Sequence, residues 1–182
     1  MADLYYTGIG SRQTPKNVLL RIETIAEEMA HRGWILRSGG ADGADSAFEK
    51  GCDRANGKKE IFLPWKEFNN NQSTLTTLPK EAYTIAYKFH PNPDALKKTE
   101  YGKELMARNT LQILGKDLET PTIFVICWTP DGIEDGNKTS RITGGTGQAI
   151  RIADAYNIPV LNIKNRESLE ILNSYFTERK SL

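Results

Sequence analysis

Three apolar runs in this chain of 182 residues end in small glycine-bearing turns. Gly8 to Arg12 reads GIGSR, Ser38 to Asp45 reads SGGADGAD, and Thr143 to Gln148 reads TGGTGQ. Glycine opens backbone conformations closed to other residues and lets a ligand come close to the amides. A helix that starts just afterwards adds unpaired N–H groups and a partial positive charge, so such turns suit phosphate or another anion. Arg12 follows the first turn directly, and Arg108 lies in the helical segment MARNTLQILG. Either guanidinium can grip a phosphate with two parallel hydrogen bonds. One such turn is equally well read as ordinary strand-to-helix punctuation; three in the same topological position point to a ligand site.

The acidic middle turn offers a second kind of contact. Asp42 and Asp45 stand three residues apart where a helix should begin. Asp45 is read as the helix cap, and Asp42 as the carboxylate that accepts from ribose hydroxyls or a base edge. Trp128 ends the fourth apolar run, where its ring either stacks on a base or fills the top of the core. Arg151, one turn into the last crossover helix, reaches either ligand or solvent.

Familiar chemistries fail on spacing. GIGSRQ has Gln13 where a dinucleotide fingerprint needs its third glycine, and no acidic residue ends the Trp34 run. GIEDGNKT has the wrong spacing for a P-loop. His31 and His90 have no Cys or Ser partner nearby in sequence, and His31 should end the first helix. Cys52 and Cys127 have no metal-ligand spacing. No catalytic residue, metal site or cofactor is expected.

To bring the three turns together, the chain must alternate strands and helices as a parallel sheet with helices on both faces does. Strands are expected at Leu4 to Thr7, Trp34 to Arg37, Glu60 to Leu63, Thr122 to Cys127 and Pro159 to Ile163, in a mostly parallel, Rossmann-like three-layer α/β sandwich. Loops at the carboxyl ends of parallel strands share one edge, which is where ligands bind. Thr14 is the expected N-cap of the first crossover helix, with Pro15 at its first position and Leu19, Ile22, Ile25, Ala26 and Met29 inward until Gly33. Ala44, Ala47, Phe48 and Cys52 mark the second helix, with Gly57 as its C-cap. Further helices are expected around Lys80 to Lys88, from Tyr101 to Leu114, after TGGTGQ, and from Arg166 to Glu178. Residues 64–102 break the rhythm as a lid or a cover for a sheet edge. The loop from Thr129 to Thr143 reads as mobile.

Length suits one domain, residues 1–182. The net charge of +1, from 24 Lys plus Arg and 23 Asp plus Glu, supplies no general field for nucleic acid or an acidic membrane, so an anion site must be local. No apolar run approaches membrane-spanning length, and the paucity of cysteine reads as cytoplasmic.

The order GIGSR, SGGADGADSAFEKG, MARNTLQILG and TGGTGQAIRIADAYNIPVLNI resembles the SLOG superfamily. This Rossmann-like group contains the DprA DNA-processing proteins, the LOG phosphoribohydrolases and the YspA/YpsA-type domains. Its small single-domain bacterial and phage members are the most similar. The match is weakest over residues 64–102 and the Thr129 loop. The resemblance implies a nucleotide or nucleotide-derived ligand at the edge where the turns meet, and a homo-oligomer. It places Gly8, Gly10, Ser11 and Arg12 in the first binding turn, Gly39, Gly40 and Gly43 in the second, Arg108 and Asn109 on the arginine-bearing helix, and Gly144, Gly145, Thr146 and Gly147 in the turn of the LOG motif P-G-G-x-G-T-x-x-E. With Ser38, Asp42, Trp128 and Gln148 these make the expected ligand-binding set. Thr143 replaces the motif's proline, Gln148 its threonine, and Arg151 its glutamate. Loss of that carboxylate argues against LOG-type glycosidic hydrolysis. The leading expectation is a protein that senses or sequesters a nucleotide signal, including one used in host defence. The rivals are a hydrolase using Asp42, Asp45 or Glu134, and DprA-like single-strand DNA binding, which the near-neutral charge disfavours.

Overall fold

The computed structural model describes residues 2–178. Five strands, β1 (Leu4–Gly10), β2 (Trp34–Ser38), β3 (Lys59–Ile61), β4 (Phe124–Trp128) and β5 (Val160–Asn162), form one sheet in the order β3-β2-β1-β4-β5. Every pairing is parallel. The helices are α1 (Lys16–His31), α2 (Ala44–Arg54), α3 (Lys80–Lys88), α4 (Pro93–Lys97), α5 (Gly102–Leu114), α6 (Thr146–Ala155) and α7 (Arg166–Glu178).

Alternation along the strands decides which helix covers which face. Tyr6, Leu36 and Ile126 point to one side, where Ile22 and Met29 of α1, Phe48 of α2 and Leu172 of α7 bury them. Val125 and Cys127 point to the other, against Ile113 of α5 and Ile150 of α6. The expected three layers are present, and the sheet is wholly parallel. Because β1 leads into helices on one face and β4 into a helix on the other, the strand order reverses between them. A crevice opens at their carboxyl ends, the usual ligand position in such folds.

Several local expectations are corrected. β1 extends to Gly10 because Gly8, Ile9 and Gly10 pair with Ile126, Cys127 and Trp128. Thr14 is not the N-cap of α1: Pro15 takes that position, and the Thr14 hydroxyl donates to the Ser11 carbonyl at 2.6 Å. Gly57 does not supply the left-handed residue after α2; Asn56 does, at φ 48°. Gly57 instead lies where a Cβ would meet Ala30 Cβ at 2.6 Å, so it is small for packing. At the sheet edge β3 stops early because Leu63 donates to the Leu75 carbonyl at 2.9 Å rather than to a strand. Ser73 caps the Ile61 carbonyl at 2.6 Å. The first part of the 64–102 excursion therefore lies along the β3 edge, and α3 packs on α5 through Ala82 and Ala107.

The loop after β4 is tied down by side chains. Asp131 accepts from the hydroxyls of Thr129 and Thr143, and Glu134 accepts from the Asn162 amide at 2.7 Å and from Ser168. Asn165 donates to the Gly132 carbonyl at 2.8 Å. Burial raises the Asp131 carboxyl, and its threonine hydroxyls outweigh that and hold it below its usual range. A sequence rich in turn formers looked mobile, yet its polar groups find partners across the loop and on β5 and α7. No helix among the described residues is long and apolar enough to cross a membrane.

Candidate functional site

A cavity of about 410 Å³ opens at the carboxyl ends of β1 and β4, within the usual range of roughly 300–1,000 Å³ for small-molecule sites. Its walls come from all three glycine turns and from α5. Gly10, Ser11, Arg12, Arg108, Asn109, Gly144, Gly145 and Thr146 of the expected set line it. Six others do not. Gly8 is a strand residue whose Cβ would meet the Phe48 ring at 2.5 Å, on the sheet face away from α5. Ser38 is buried and donates to the Gly8 carbonyl at 2.7 Å. Gly39 lies over Arg108, Gly40 against Leu63, and Gly43 over the Ser11 carbonyl at 2.6 Å. Gly147 packs between Thr139 and Thr143. These glycines shape the walls from behind.

Neither aspartate keeps its expected place. Asp42 is exposed and stays off the wall, whereas Asp45 is buried and lines it. Gly43, at φ 83°, turns the chain so that Asp45 points back beneath the first turn. Its carboxylate accepts from the amides of Gly10 at 3.3 Å and Ala41 at 3.4 Å. It thus links the first and second turns rather than capping its own helix. Burial pushes the Asp45 carboxyl up, while Arg108 and the surrounding amides pull it back.

Arg108 answers it from α5. Its guanidinium is buried and donates to the Gly39 carbonyl and, at 3.2 Å, to Asn109 Oδ1. Burial lowers its proton affinity, Asp45 restores part, and the positive charge of Arg12 lowers it again. The charge of Arg12 is thus close enough to act on the buried guanidinium of Arg108. Arg141, from the loop before the third turn, stands on the same wall. Among the described residues no Asp or Glu oxygen lies within 4.0 Å of the nitrogens of Arg12, Arg108 or Arg141, although Arg32, Arg37, Arg54 and Arg166 all have such partners.

Gln112 adds a polar group outside the expected set. It is 1% exposed, lines the cavity, and its Nε2 has no hydrogen-bond partner. A buried donor without an acceptor costs about 1–3 kcal/mol, so such a group is informative. The available signal was a lone amide inside the apolar run LQIL. Asn109 donates to Gln148 Oε1 at 3.0 Å and to the Gly145 carbonyl at 3.3 Å, which fixes α5 to the third turn. Trp128 is 8% exposed, packs in the core and does not line the cavity.

A second cavity of about 470 Å³ adjoins the first and shares Met106, Arg141, Gly144 and Gly145 with it. His90 and Asn92 of the excursion, Gln148 and Arg151 complete it. Arg151 is half-buried, and burial lowers its proton affinity. It donates to the Phe89 carbonyl at 2.7 Å and to the Thr139 hydroxyl. Among the described residues, no group of three or more His, Cys, Asp and Glu is placed to hold a metal ion.

No protein-family model matches the chain, and no curated protein matches it. Solved structures do. The DNA processing protein A of Helicobacter pylori, described as binding single-stranded DNA, superposes with a TM-score of 0.52 at 20% identity, over 86% of this chain and 63% of that one. The likeness is one of fold. Two structures of the molybdenum cofactor carrier protein of Chlamydomonas reinhardtii give a TM-score of 0.49 each, at 17% and 16% identity, covering 88% and 96% of this chain and 74% and 85% of theirs. The Helicobacter protein thus supports a fold related to the one the SLOG resemblance implied.

Proposed function

We propose that the cavity between the ends of β1 and β4 binds a nucleotide or nucleotide-derived small molecule and holds it intact. The observation that carries this reading is the convergence of Arg12, Arg108 and Arg141, none with a carboxylate within 4.0 Å among the described residues, on one small-molecule-sized cavity. Phosphate goes to Arg12 and to the Gly145 and Thr146 amides of the third turn, which have no backbone acceptor among the described residues. Asp45 and Gln112, deeper on the wall, face the sugar or base. A purely inorganic anion would leave the buried Gln112 amide without a partner.

Binding without turnover is favoured over hydrolysis on the same geometry. Of the three candidate carboxylates, Asp42 lies off the wall and Glu134 is engaged by Asn162 and Ser168. That leaves Asp45, itself held by two amides, as the one carboxylate on the cavity wall among the described residues. Retention of an intact ligand is what a sensor or a sequestering protein requires, including one directed at a nucleotide signal of host defence. Single-strand DNA binding is the outcome the test must separate.

Calorimetric titration with a panel of nucleoside mono- and diphosphates, followed by chromatography of the released ligand, tests this reading. At least one nucleotide is expected to bind and to be recovered unchanged. Arg12→Ala should weaken it by about tenfold to a hundredfold, the value of one charge-assisted contact of roughly 1.5–3 kcal/mol. Absence of binding by every nucleotide, or binding only of single-stranded DNA with a steep salt dependence, would overturn it.

A further inference from the structure

The third glycine turn is a partition with a cavity on either side, and its surface is bare. A Cβ built on Gly144 meets nothing within 4 Å, and one on Gly145 meets only Met106 Cε at 3.6 Å. Gly10, Gly43 and Gly51, by contrast, are packed against backbone at under 3.0 Å. Gly145 also has ordinary helical backbone angles, φ −60° and ψ −27°, which any residue adopts. Gly144, at φ 69°, is glycine for its backbone conformation, but at Gly145 neither packing nor backbone conformation calls for it. What remains is close approach of something outside the chain.

The charge distribution agrees. Nine arginines fall among the described residues, and Arg12, Arg21, Arg108, Arg141 and Arg151 have no carboxylate oxygen within 4.0 Å there. Four of those five border the two adjoining cavities: Arg12 and Arg108 the first, Arg151 the second, and Arg141 both. Surface arginines normally sit near acidic neighbours or in open water. Here Arg108 is buried and Arg151 half-buried.

We infer that the ligand crosses the Gly144–Gly145 turn and carries two separated anionic groups, one held by Arg12 and Arg108 and the other by Arg151 in the second cavity. This rests on the proposed function and narrows it to nucleotides phosphorylated at both ends of the sugar, or to two nucleotides joined by a phosphodiester. Arg141 closes over the crossing point. His90, Asn92 and Gln148 supply neutral hydrogen-bonding groups around the second anion. The guanidinium of Arg151 is already oriented by the Phe89 carbonyl and the Thr139 hydroxyl, so the excursion and the loop after β4 take part in binding through it.

The test compares adenosine and guanosine 5′-monophosphates with the matching 3′,5′-bisphosphates and 5′-phosphorylated dinucleotides by calorimetry. The doubly anionic probes are expected to bind at least tenfold more tightly than the monophosphates. Arg151→Gln should erase that advantage while leaving monophosphate affinity within about twofold. Because Arg151 also anchors two loops, Gly145→Ala serves as a second variant: its melting temperature should match that of the natural protein, and it too should lose the advantage by obstructing the crossing. Equal affinity for singly and doubly anionic probes, or an advantage that survives both substitutions, overturns the second subsite and leaves the proposed function standing. No binding by any nucleotide removes both.

Discussion

Arg108→Gln is expected to destabilise the protein by about 3 kcal/mol or more at neutral pH, and to recover part of that loss in acid. The substitution strips a buried guanidinium from the Gly39 carbonyl and leaves the Asp45 carboxylate buried without its counter-charge. The sign follows from Asp45. Its pKa is raised in the folded protein, so the ionised form opposes folding. That opposition is absent below the unfolded value of about 3.9, grows as the pH rises towards the folded pKa, and is full above it. Without Arg108 the folded pKa rises further. The gap in stability between natural and variant protein should therefore be full above the raised folded pKa of the variant and shrink as the pH falls through it towards the unfolded value of about 3.9. Urea unfolding of both proteins across that range measures it. A gap that stays constant with pH would show that Arg108 does not stabilise the Asp45 charge. The variant should also lose nucleotide binding at every pH, since the buried cation that faces the ligand is gone.

Gly51→Ala is the second large effect, and it arises far from the cavity. A Cβ at Gly51 would overlap the Glu23 carbonyl and lie 2.9 Å from Ala26 Cβ, both on α1. Since the obstacle is helix backbone, α1 and α2 must separate. The movement would also loosen the bonds that buried Glu23 accepts from Lys50, at 2.9 Å, and from Arg54. Alanine gains about 1 kcal/mol of helix propensity over glycine, whereas overpacking costs about 1–3 kcal/mol and more where backbone has to shift. A net loss of about 2 kcal/mol corresponds to a fall of roughly 4–8 °C in melting temperature for a protein of this size. Thermal unfolding beside Gly145→Ala gives the contrast: the same change at a bare glycine should leave the transition where it is. An unchanged melting temperature for Gly51→Ala would mean that the two helices are not in close contact there.

These contrasts show how much of the molecule was legible in its sequence. The alternation of apolar runs and helical periods sufficed for five strands and for six helices, because burial on both faces of a parallel sheet imposes continuous apolar runs on the strands and an amphipathic stripe on each covering helix. The short helix α4, inside a run of turn formers, was the exception. Strand ends were less legible: the Gly8–Gly10 segment looks like a turn, and only its pairing with Ile126, Cys127 and Trp128 makes it strand. That glycines 10, 144 and 145 share one crevice followed from the sequence once the sheet was taken as parallel. Which aspartate faces that crevice did not, since Asp42 and Asp45 flank the same turn and the backbone angles of Gly43 select between them. Gln112, Arg141, His90 and Arg151 are separated by long stretches of chain, so no local spacing relates them. Local preference and periodicity determined the elements and the edge where they meet. Only long-range packing, which no local pattern encodes, decided the rest: Asp45 turned inward beneath the first turn, Trp128 sealed in the core, and a second cavity set beside the first across two bare glycines.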